Sequence, residues 1–408
     1  MTVIKNKIKK MNDGSVVSPA GFQVAGIHSG VKRKRNDLGI IVCDVPATAA
    51  AMYTTNNIQA APIKVTKESI GVEGKLQAVI VNSGNANACT GEKGERDAYA
   101  MRNEVAKTFS IKEHHIAVGS TGVIGEEMPM DKIIPSIKSL KLGKDPNDAE
   151  AFNQSILTTD TVNKSSGYEA TIDGKQVRIA GAAKGSGMIA PNMATMLAFV
   201  TTDVAIDSDV LQQALRQVTD QTFNCITVDG DTSTNDMVLA MASGHAGNER
   251  LTPQHKDWSV FMEMLHRTCE DLAKMIARDG EGATTLIEAE VNGAKNRREA
   301  IKVAKSIVGS SLVKTAVFGA DANWGRILAA IGYSGATIDP NTIDIFIGDV
   351  ALVKESKPVT YDEKEVFERL RNDFVKITVD LHVGAEGGKA WGCDLTYDYV
   401  QINASYRT

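Results

Sequence analysis

The chain is a succession of short apolar runs and amphipathic stretches. Two apolar runs in the first half are rich in β-branched residues and predict buried strands, LGIIVCDV at 38–45 and LQAVIVNSG at 76–84. Between residues 95 and 109 the apolar side chains recur at helical spacing, which predicts an amphipathic helix. Strands and helices therefore mix from the start of the chain.

The second half continues this mixture. Apolar spacing and capping residues predict four helices: one from Asp207 or Ser208 through Val218, one from Pro253 to about Ala277, and two over 299–308 and 363–374. Runs of β-branched residues predict strands over 284–291, 312–319, 342–353 and 374–383. Helices that alternate with strands and glycine turns predict α/β or α+β layers.

The segment 175–204 carries an unusual hydroxyl. A predicted strand that begins at Lys175 runs into the glycine-rich loop KGSGM, and a second predicted strand, TMLAFVTTDV, begins at Thr195. The loop leaves the backbone before Thr195 free to adopt unusual dihedral angles, whereas the apolar strand after it would hold Thr195 in place. Thr195 is either an ordinary strand residue or a nucleophile.

Composition and charge narrow the class of protein. The 408 residues are 43% hydrophobic and 23% charged, which predicts a soluble globular protein with a large core. A net charge of −5 excludes a nucleic-acid binder, and the short basic cluster at 32–35 is interpreted as a solvated turn. The sequence has no apolar run long enough to span a membrane and no secretory signal, so we expect a cytoplasmic protein.

Cysteines and acidic residues give no sign of a metal site. The five cysteines are scattered, without a C-x-x-C pair or a histidine at metal spacing, which predicts reduced and mostly buried thiols. The loop DGDTSTND at 229–236 resembles an acidic metal loop but lacks the glutamate that an EF-hand requires at its twelfth position. We expect no metal and assign this loop no individual role.

Thr195 could act without a histidine if it became an N-terminal residue. A threonine hydroxyl is a poor nucleophile alone, but the α-amine of an N-terminal threonine can take its proton. This amine titrates at about 7.7–8, close enough to neutral pH for a general base. The seven histidines form no recognisable triad motif, and the sequence has no G-x-S-x-G elbow.

Six segments together carry a family resemblance. They are NSGNANACTG at 82–91, GSTGVIG at 119–125, TTDT at 158–161, KGSGMIAPNMATMLAF at 184–199, DGDTSTND at 229–236 and YVQINASYRT at 399–408. In this order they resemble the glutamate/ornithine N-acetyltransferase family of arginine biosynthesis, from about residue 20 to residue 408. Several of the segments are long, so chance agreement is excluded.

The resemblance implies a fold and a processing event. The fold is a layered αββα sandwich of the self-cleaving N-terminal-nucleophile type, within the α/β (α+β) class. The precursor cuts itself between Ala194 and Thr195, which gives an alpha chain of residues 1–194 and a beta chain of residues 195–408. The two chains stay associated, and two such pairs form a heterotetramer.

The resemblance also implies the reaction. The Thr195 hydroxyl takes an acetyl group from N2-acetylornithine, releases ornithine and passes the acetyl group to glutamate, a double displacement with ping-pong kinetics. No cofactor is expected. Acetyl-CoA is a further acetyl donor for glutamate if the enzyme is bifunctional, which is our expectation.

The family's functional residues map onto positions of this chain. The hydroxyl of Thr121 and the backbone N–H of Gly122 are the oxyanion-hole donors. Lys184 is expected to bind the substrate α-carboxylate and Glu281 the side-chain ammonium of ornithine. The remaining substrate-binding positions, besides Thr195 itself, are Thr158, Asn403 and Thr408. A shift of one residue would exchange Thr158 for Thr159, and Thr408 would need the strand-like segment 393–402 to hold it.

Two alternative functions differ from acetyl transfer. An aminopeptidase or amidase of similar fold would use the same N-terminal threonine and pass the acyl group to water. A binding or structural protein would remain uncut, with Thr195 an ordinary strand residue. Transfer of the acyl group to water instead of glutamate distinguishes the first alternative from an acetyltransferase. An intact chain would favour the second alternative.

Overall fold

The computed structural model describes residues 8–190 and 196–405, and fifteen strands lie within these ranges. The first nine are β1 (Ile8–Lys10), β2 (Phe22–Ile27), β3 (Leu38–Tyr53), β4 (Lys75–Asn85), β5 (Ile116–Val123), β6 (Lys164–Ile172), β7 (Lys175–Lys184), β8 (Leu197–Thr202) and β9 (Met237–Ala242). The others are β10 (Leu286–Ala294), β11 (Asp344–Ile347), β12 (Val350–Lys354), β13 (Lys357–Pro358), β14 (Phe374–Asp380) and β15 (Glu386–Cys393).

Eleven α-helices lie in the same ranges. They are α1 (Ala61–Glu73), α2 (Gly91–Phe109), α3 (Met130–Ser139), α4 (Pro146–Ile156), α5 (Ser208–Thr219), α6 (Trp258–Arg278), α7 (Arg297–Gly309), α8 (Ser311–Phe318), α9 (Trp324–Gly332), α10 (Glu363–Leu370) and α11 (Tyr397–Ser405). None of the helices is long and apolar enough to cross a membrane.

Strands β1–β9 form one bent sheet, in the order β1-β6-β7-β8-β9-β3-β4-β5, with β2 beside β3. The long strand β3 pairs with β4 through its first half and with β9 through its second half, and its pairing shifts between Val42 and Ala47. This bend folds the sheet into two layers that face each other across a shared core.

Alternation of side chains along the strands assigns them to three cores. In β8, Leu197 and Phe199 point into the core between the layers, while Ala198 and Val200 point toward α5 and α6. In β3, Ile41 faces the same central core, and Ile40 faces α2 and α3. Helices thus cover both outer faces, and the predicted αββα sandwich is confirmed.

A second sheet, in the order β13-β12-β11-β14-β10-β15, is built from the C-terminal third. Strand β10, next to the edge strand β15, pairs in parallel with β14 and antiparallel with β15. The sequence analysis predicted strands over β10, β11, β12 and β14 but neither β15 nor this separate sheet. Its importance for the site is that the loop before β10 and the helix after β15 both extend to the first sheet.

Several predicted elements were wrong in type. Residues 312–319 were expected as a strand but lie in α8, because Ser310 caps the helix and Val313 and Val317 are buried at helical spacing. The segment 342–353 is a hairpin rather than one strand, since Gly348 turns the chain with a positive φ of 62°. The C-terminal segment expected to be strand-like is the helix α11 beyond Tyr397.

Two element starts also differ from the prediction. The helix expected from Pro253 begins at Trp258, because residues 253–257 form turns. The N–H of His255 donates to the Thr252 carbonyl, and the N–H of Trp258 donates to the His255 carbonyl. The strand expected to open at Thr195 begins at Leu197, with Met196 before it. Thr195 itself lies outside the described residues, as do Ala194 and Thr408.

Candidate functional site

A cavity of about 210 Å³ opens where β5 and β7 end and where β8 and β9 begin. All the predicted substrate and oxyanion positions that the structure describes line it: Thr121, Gly122, Thr158, Lys184, Glu281 and Asn403. Met196 and Leu197 line it as well. Residues from five separate parts of the chain therefore converge beside the position that follows Thr195.

The predicted oxyanion residues, Thr121 and Gly122, lie at the end of β5, just before its last residue, Val123. This end of the strand is called the oxyanion loop. Gly122 has a φ of 135°, and a Cβ atom there would lie 2.3 Å from the backbone carbon of Gly84 on the paired strand. Only glycine fits this position, since the backbone conformation and the space both exclude a side chain. The neighbouring Thr121 is almost fully buried and lines the cavity.

Asparagine side chains support this loop from behind. Ser120 donates its hydroxyl hydrogen to Asn82 Oδ1 at 2.6 Å, and Asn235 Nδ2 donates to the carbonyl oxygens of Ser120 (2.8 Å) and Ala86 (2.5 Å). These groups are buried, so the hydrogen bonds fix the loop without competition from water. The motif NSGNANACTG therefore contributes scaffold to the oxyanion loop.

Lys184 ends β7 as a buried cation. Its Nζ donates to Thr121 Oγ1 at 3.3 Å, and no carboxylate of the described residues lies within 4 Å of it. Burial lowers the pKa of Lys184, although Asp160 and, more weakly, Asp236 and Glu281 oppose this effect. An anionic group that entered the cavity would relieve this cost, as expected for a substrate carboxylate.

A buried ion cluster, defined as Asp160, Lys164 and Asp279, lies next to the cavity. Lys164 Nζ is 2.7 Å from Asp160 Oδ1 and 2.5 Å from Asp279 Oδ2, and the side chains are almost entirely buried. Burial alone would raise the pKa of Asp160, but the ammonium groups of Lys184 and Lys164 hold it well below its usual range. Asp160 therefore remains ionised inside the protein.

The buried ion cluster ties three loops together. Asp160 accepts hydrogen bonds from the backbone N–H groups of Thr158 (2.9 Å) and Gly185 (2.6 Å). The backbone carbonyl of Asp279 accepts a hydrogen bond from the Ser186 hydroxyl at 2.7 Å. The loops that carry Thr158, Lys184 and Glu281 thus share one anchor.

The carboxylate of Glu281, which lines the cavity, packs against the backbone of Gly187. A Cβ atom at Gly187 would lie 2.3 Å from the Glu281 carboxyl carbon, so only glycine allows this approach. Asn403 of α11 donates its amide hydrogen to Glu281 Oε2 at 2.8 Å. The C-terminal helix therefore orients the carboxylate that we expect to bind an ammonium group.

The structure does not distinguish Thr158 from Thr159, because both are half-buried and both line the cavity. It adds residues to which the sequence analysis gave no role. These are Tyr399 of α11 and the acidic loop, of which Asp229, Asp231, Ser233, Thr234, Asn235 and Asp236 line the cavity. The density of acids and hydroxyls in this loop was the available signal.

The basic cluster at 32–35 is only partly a solvated turn. Residues 33–35 are exposed, but Lys32 is half-buried and donates from Nζ to the Leu157 carbonyl at 2.9 Å. Arg35 donates to the Asp160 carbonyl at 3.3 Å. Burial lowers the pKa of Lys32 to about 8. The cluster therefore packs against the loop that carries Thr158, which the interpretation as a turn did not foresee.

Other chemically reactive groups lie away from this cavity. All five cysteines are free thiols and four are buried, as predicted, with Cys89 exposed. Two groups of the described residues place ligand atoms within 4.8 Å of each other: Glu73, His114 and His115, and Asp173, Glu249 and His255. None of these residues lines the cavity.

A larger cavity of about 1110 Å³ lies on the other side of the 279–282 loop and of α11. It is lined by Gly280 and Gly282 but by none of the predicted site residues. The smaller cavity is therefore the candidate site. Its buried cation, hydroxyl donor and carboxylate suit a small amino-acid substrate that carries both charges.

The family model of ArgJ matches residues 23–408. The chain is 62% identical to the arginine biosynthesis bifunctional protein ArgJ of Geobacillus kaustophilus over 410 aligned positions, with 100% of both chains covered. It is 62% identical to the protein of that name from Halalkalibacterium halodurans over 98% of each chain. The crystal structure of the Bacillus halodurans protein is 63% identical with a TM-score of 0.51, covering 52% of this chain and 100% of that one.

Proposed function

Since the chain belongs to the ArgJ family, we propose that it transfers the acetyl group of N2-acetylornithine to glutamate and releases ornithine and N-acetylglutamate. It is an acetyltransferase of arginine biosynthesis. The observation that carries the detailed proposal is the convergence of six predicted site residues on one cavity next to Met196.

Each described residue has a chemical task in this reaction. The buried ammonium of Lys184 binds the substrate α-carboxylate. Glu281 binds the side-chain ammonium of the ornithine moiety. The Thr121 hydroxyl and the Gly122 N–H donate to the acetyl oxygen when it becomes negatively charged. Thr195 supplies the nucleophile and Asn403 holds Glu281 in position.

The nucleophile arises by self-cleavage between Ala194 and Thr195, which gives the alpha and beta chains. One comparison supports this step: the solved Bacillus halodurans chain corresponds to 52% of this chain, and residues 195–408 also make up 52% of the sequence. The free α-amine of Thr195 then takes the hydroxyl proton during attack.

The two chains would remain one unit after the cut. β8 of the beta chain lies between β7 of the alpha chain and β9, and β9 pairs with β3 of the alpha chain. These backbone ladders hold both chains without a covalent link. Two such pairs form the heterotetramer in the proposal, which acts in the cytoplasm, needs no cofactor and also accepts acetyl-CoA as acetyl donor.

The first experiment is the intact mass of the purified protein under denaturing conditions. We expect two chains that divide at Ala194/Thr195, and Thr195→Ala should give one uncut, inactive chain. Thr195→Ser, which keeps a hydroxyl, should retain part of both activities. A wild-type chain that stays at 43.7 kDa would contradict the mechanism.

A transfer assay then identifies the acceptor. With N2-acetylornithine as donor, the proposal requires N-acetylglutamate to form in proportion to ornithine, with ping-pong kinetics. Release of ornithine and free acetate at the same rate with and without glutamate would instead indicate an amidase. Replacing the donor by acetyl-CoA tests the second activity.

A further inference from the structure

Asp236 is an unusual carboxyl group in the cavity wall. It is 3% exposed and lines the cavity, and its Oδ2 has no hydrogen-bond partner among residues 8–190 and 196–405. A buried polar oxygen without a partner is costly, because it has lost its hydrogen bonds to water, so such an atom in a cavity wall indicates a missing donor. The sequence analysis gave Asp236 no role.

The position of Asp236 follows from strand pairing. β8 and β9 run parallel with Leu197 opposite Met237, and the Met237 N–H donates to the Met196 carbonyl at 3.0 Å. Asp236 and Met196 are the residues that precede these strands, so they are neighbours at the cavity edge. Met196 follows position 195 directly in the chain.

The other carboxyl groups of the cavity already have hydrogen-bond partners. Asp229 accepts from the backbone N–H groups of Met188 (2.6 Å) and Ile189 (2.8 Å), and Glu281 accepts from Asn403. Burial raises the pKa of Asp236 well above its usual range, against the effect of Ser233, Lys184 and the Met196 N–H. A hydrogen-bond donor at Oδ2 would reverse part of this shift.

On the basis of the proposed function, we propose that Asp236 is a positioning residue whose Oδ2 accepts a hydrogen bond from the amine that carries the catalytic proton. The hydroxyl proton moves to this amine as the bond from the hydroxyl oxygen to the acetyl carbon forms. The resulting ammonium is stabilised by Asp236, and it gives the proton to the departing nitrogen as the carbon–nitrogen bond breaks. Asp236 thus orients the base and supports its charged form.

Two N–H donors could meet this carboxyl group. One is the α-amine that self-cleavage creates at residue 195, which is linked to Met196 and is the base of the step above. The other is the amide N–H of N2-acetylornithine, which cannot take the hydroxyl proton and belongs to the nitrogen that departs. Two acetyl donors tell these contacts apart.

The test compares Asp236→Asn with Asp203→Asn as the matched control. Asp203 is equally buried, follows the neighbouring strand β8 and has a raised pKa, but it accepts from the backbone N–H groups of Arg178 and Ala20 and does not line the cavity. Intact mass establishes that each variant is cut, and thermal unfolding establishes that it is folded. Acetylation is then measured with N2-acetylornithine and with p-nitrophenyl acetate, whose leaving group carries no amine.

We expect Asp236→Asn to lower kcat about a hundredfold or more while KM stays near wild type, because orientation of a general base is lost. Loss with both donors supports the proposal, whereas loss with N2-acetylornithine alone would overturn it, because Asp236 would then act only on the departing nitrogen. Asp236→Glu, which keeps the carboxyl group, should recover part of kcat and serves if the asparagine variant unfolds.

Two further results would overturn the proposal. In one, Asp236→Asn is as active as Asp203→Asn with both donors. In the other, Asp236→Asn stays uncut while Asp203→Asn is cut, since the carboxyl group would then act before the amine exists. A wild-type protein that is uncut or transfers no acetyl group would refute the proposed function instead, so the two failures are distinguishable.

Discussion

Two lysines on adjacent strands of the first sheet are almost completely buried, yet they differ in what surrounds them. Lys164, at the start of β6, lies between the carboxylates of Asp160 and Asp279. Lys184, at the end of β7, has only the Thr121 hydroxyl as hydrogen-bond acceptor among the described residues. The first charge is satisfied within the protein and the second is available for a ligand. Burial alone therefore does not distinguish a structural cation from a cation that binds a ligand. The partners of the ammonium group distinguish them.

The largest effect should come from Lys164→Met. This change leaves Asp160 and Asp279 as uncompensated carboxylates in the interior, which should lower the free energy of unfolding by about 3–5 kcal/mol. Lys64→Met is the control, because its ion pair with Glu95 is exposed to solvent and should contribute little to stability. Urea unfolding measures both. Equal stability of the two variants would refute the structural role of Lys164.

Thr121→Val should come next, acting on catalysis instead of stability. The valine keeps the shape but removes the hydroxyl, which lies beside Lys184 on a residue that lines the cavity. We expect kcat to fall about 10²–10³-fold, as for loss of one oxyanion donor, with little change in melting temperature. A variant with the wild-type kcat would exclude this hydroxyl from the oxyanion hole.

Lys184→Met sharpens the contrast with Lys164. The substrate carboxylate loses a charged partner worth about 1.5–3 kcal/mol, so KM for N2-acetylornithine and for glutamate should rise roughly tenfold to a hundredfold. Burial lowers the pKa of Lys184, so its charge opposes folding, but Lys184 also helps to keep Asp160 ionised. Methionine should therefore destabilise the protein much less than Lys164→Met does. An unchanged KM, or destabilisation as large as in Lys164→Met, would remove the distinction.

The smallest effect concerns the loop that the buried ion cluster anchors. Thr158→Val and Thr159→Val are matched changes at two positions that both line the cavity. The contact residue should raise KM about twofold to tenfold, as for one neutral hydrogen bond, and the family pattern assigns this to Thr158. If only Thr159→Val raises KM, the assignment moves by one residue.

The sequence predicted the residues of the cavity better than the structure that holds them. Thr121, Lys184 and Glu281 lie together as the resemblance implied, because their motifs are local segments that can be recognised one at a time. The pairing of Lys164 with Asp279 joins residues 115 positions apart, and hydrophobic periodicity contains no information about such contacts. The individual roles of Thr121, Lys184 and Glu281 stay predictions.

The errors in secondary structure have a similar origin. The segment LVKTAVF fits a strand by its β-branched residues and a helix by its spacing, and the cap at Ser310 together with burial of Val313 and Val317 decides for the helix. The C-terminal segment contains apolar residues but buries none of them in α11. This helix contributes to the candidate site through a polar contact, the hydrogen bond from Asn403 to Glu281, which composition cannot reveal.

The bent strand β3 sets an order of events during synthesis. Its partner β4 follows it closely in the chain, whereas the partner of its second half, β9, lies nearly 200 residues later. Contacts this distant in sequence form late, because loop closure precedes them. The cavity at the start of β8 and β9 is complete only when this pairing exists. A chain cut at residue 195 before that moment would release two fragments without a sheet to join them, so the proposed self-cleavage would have to follow folding.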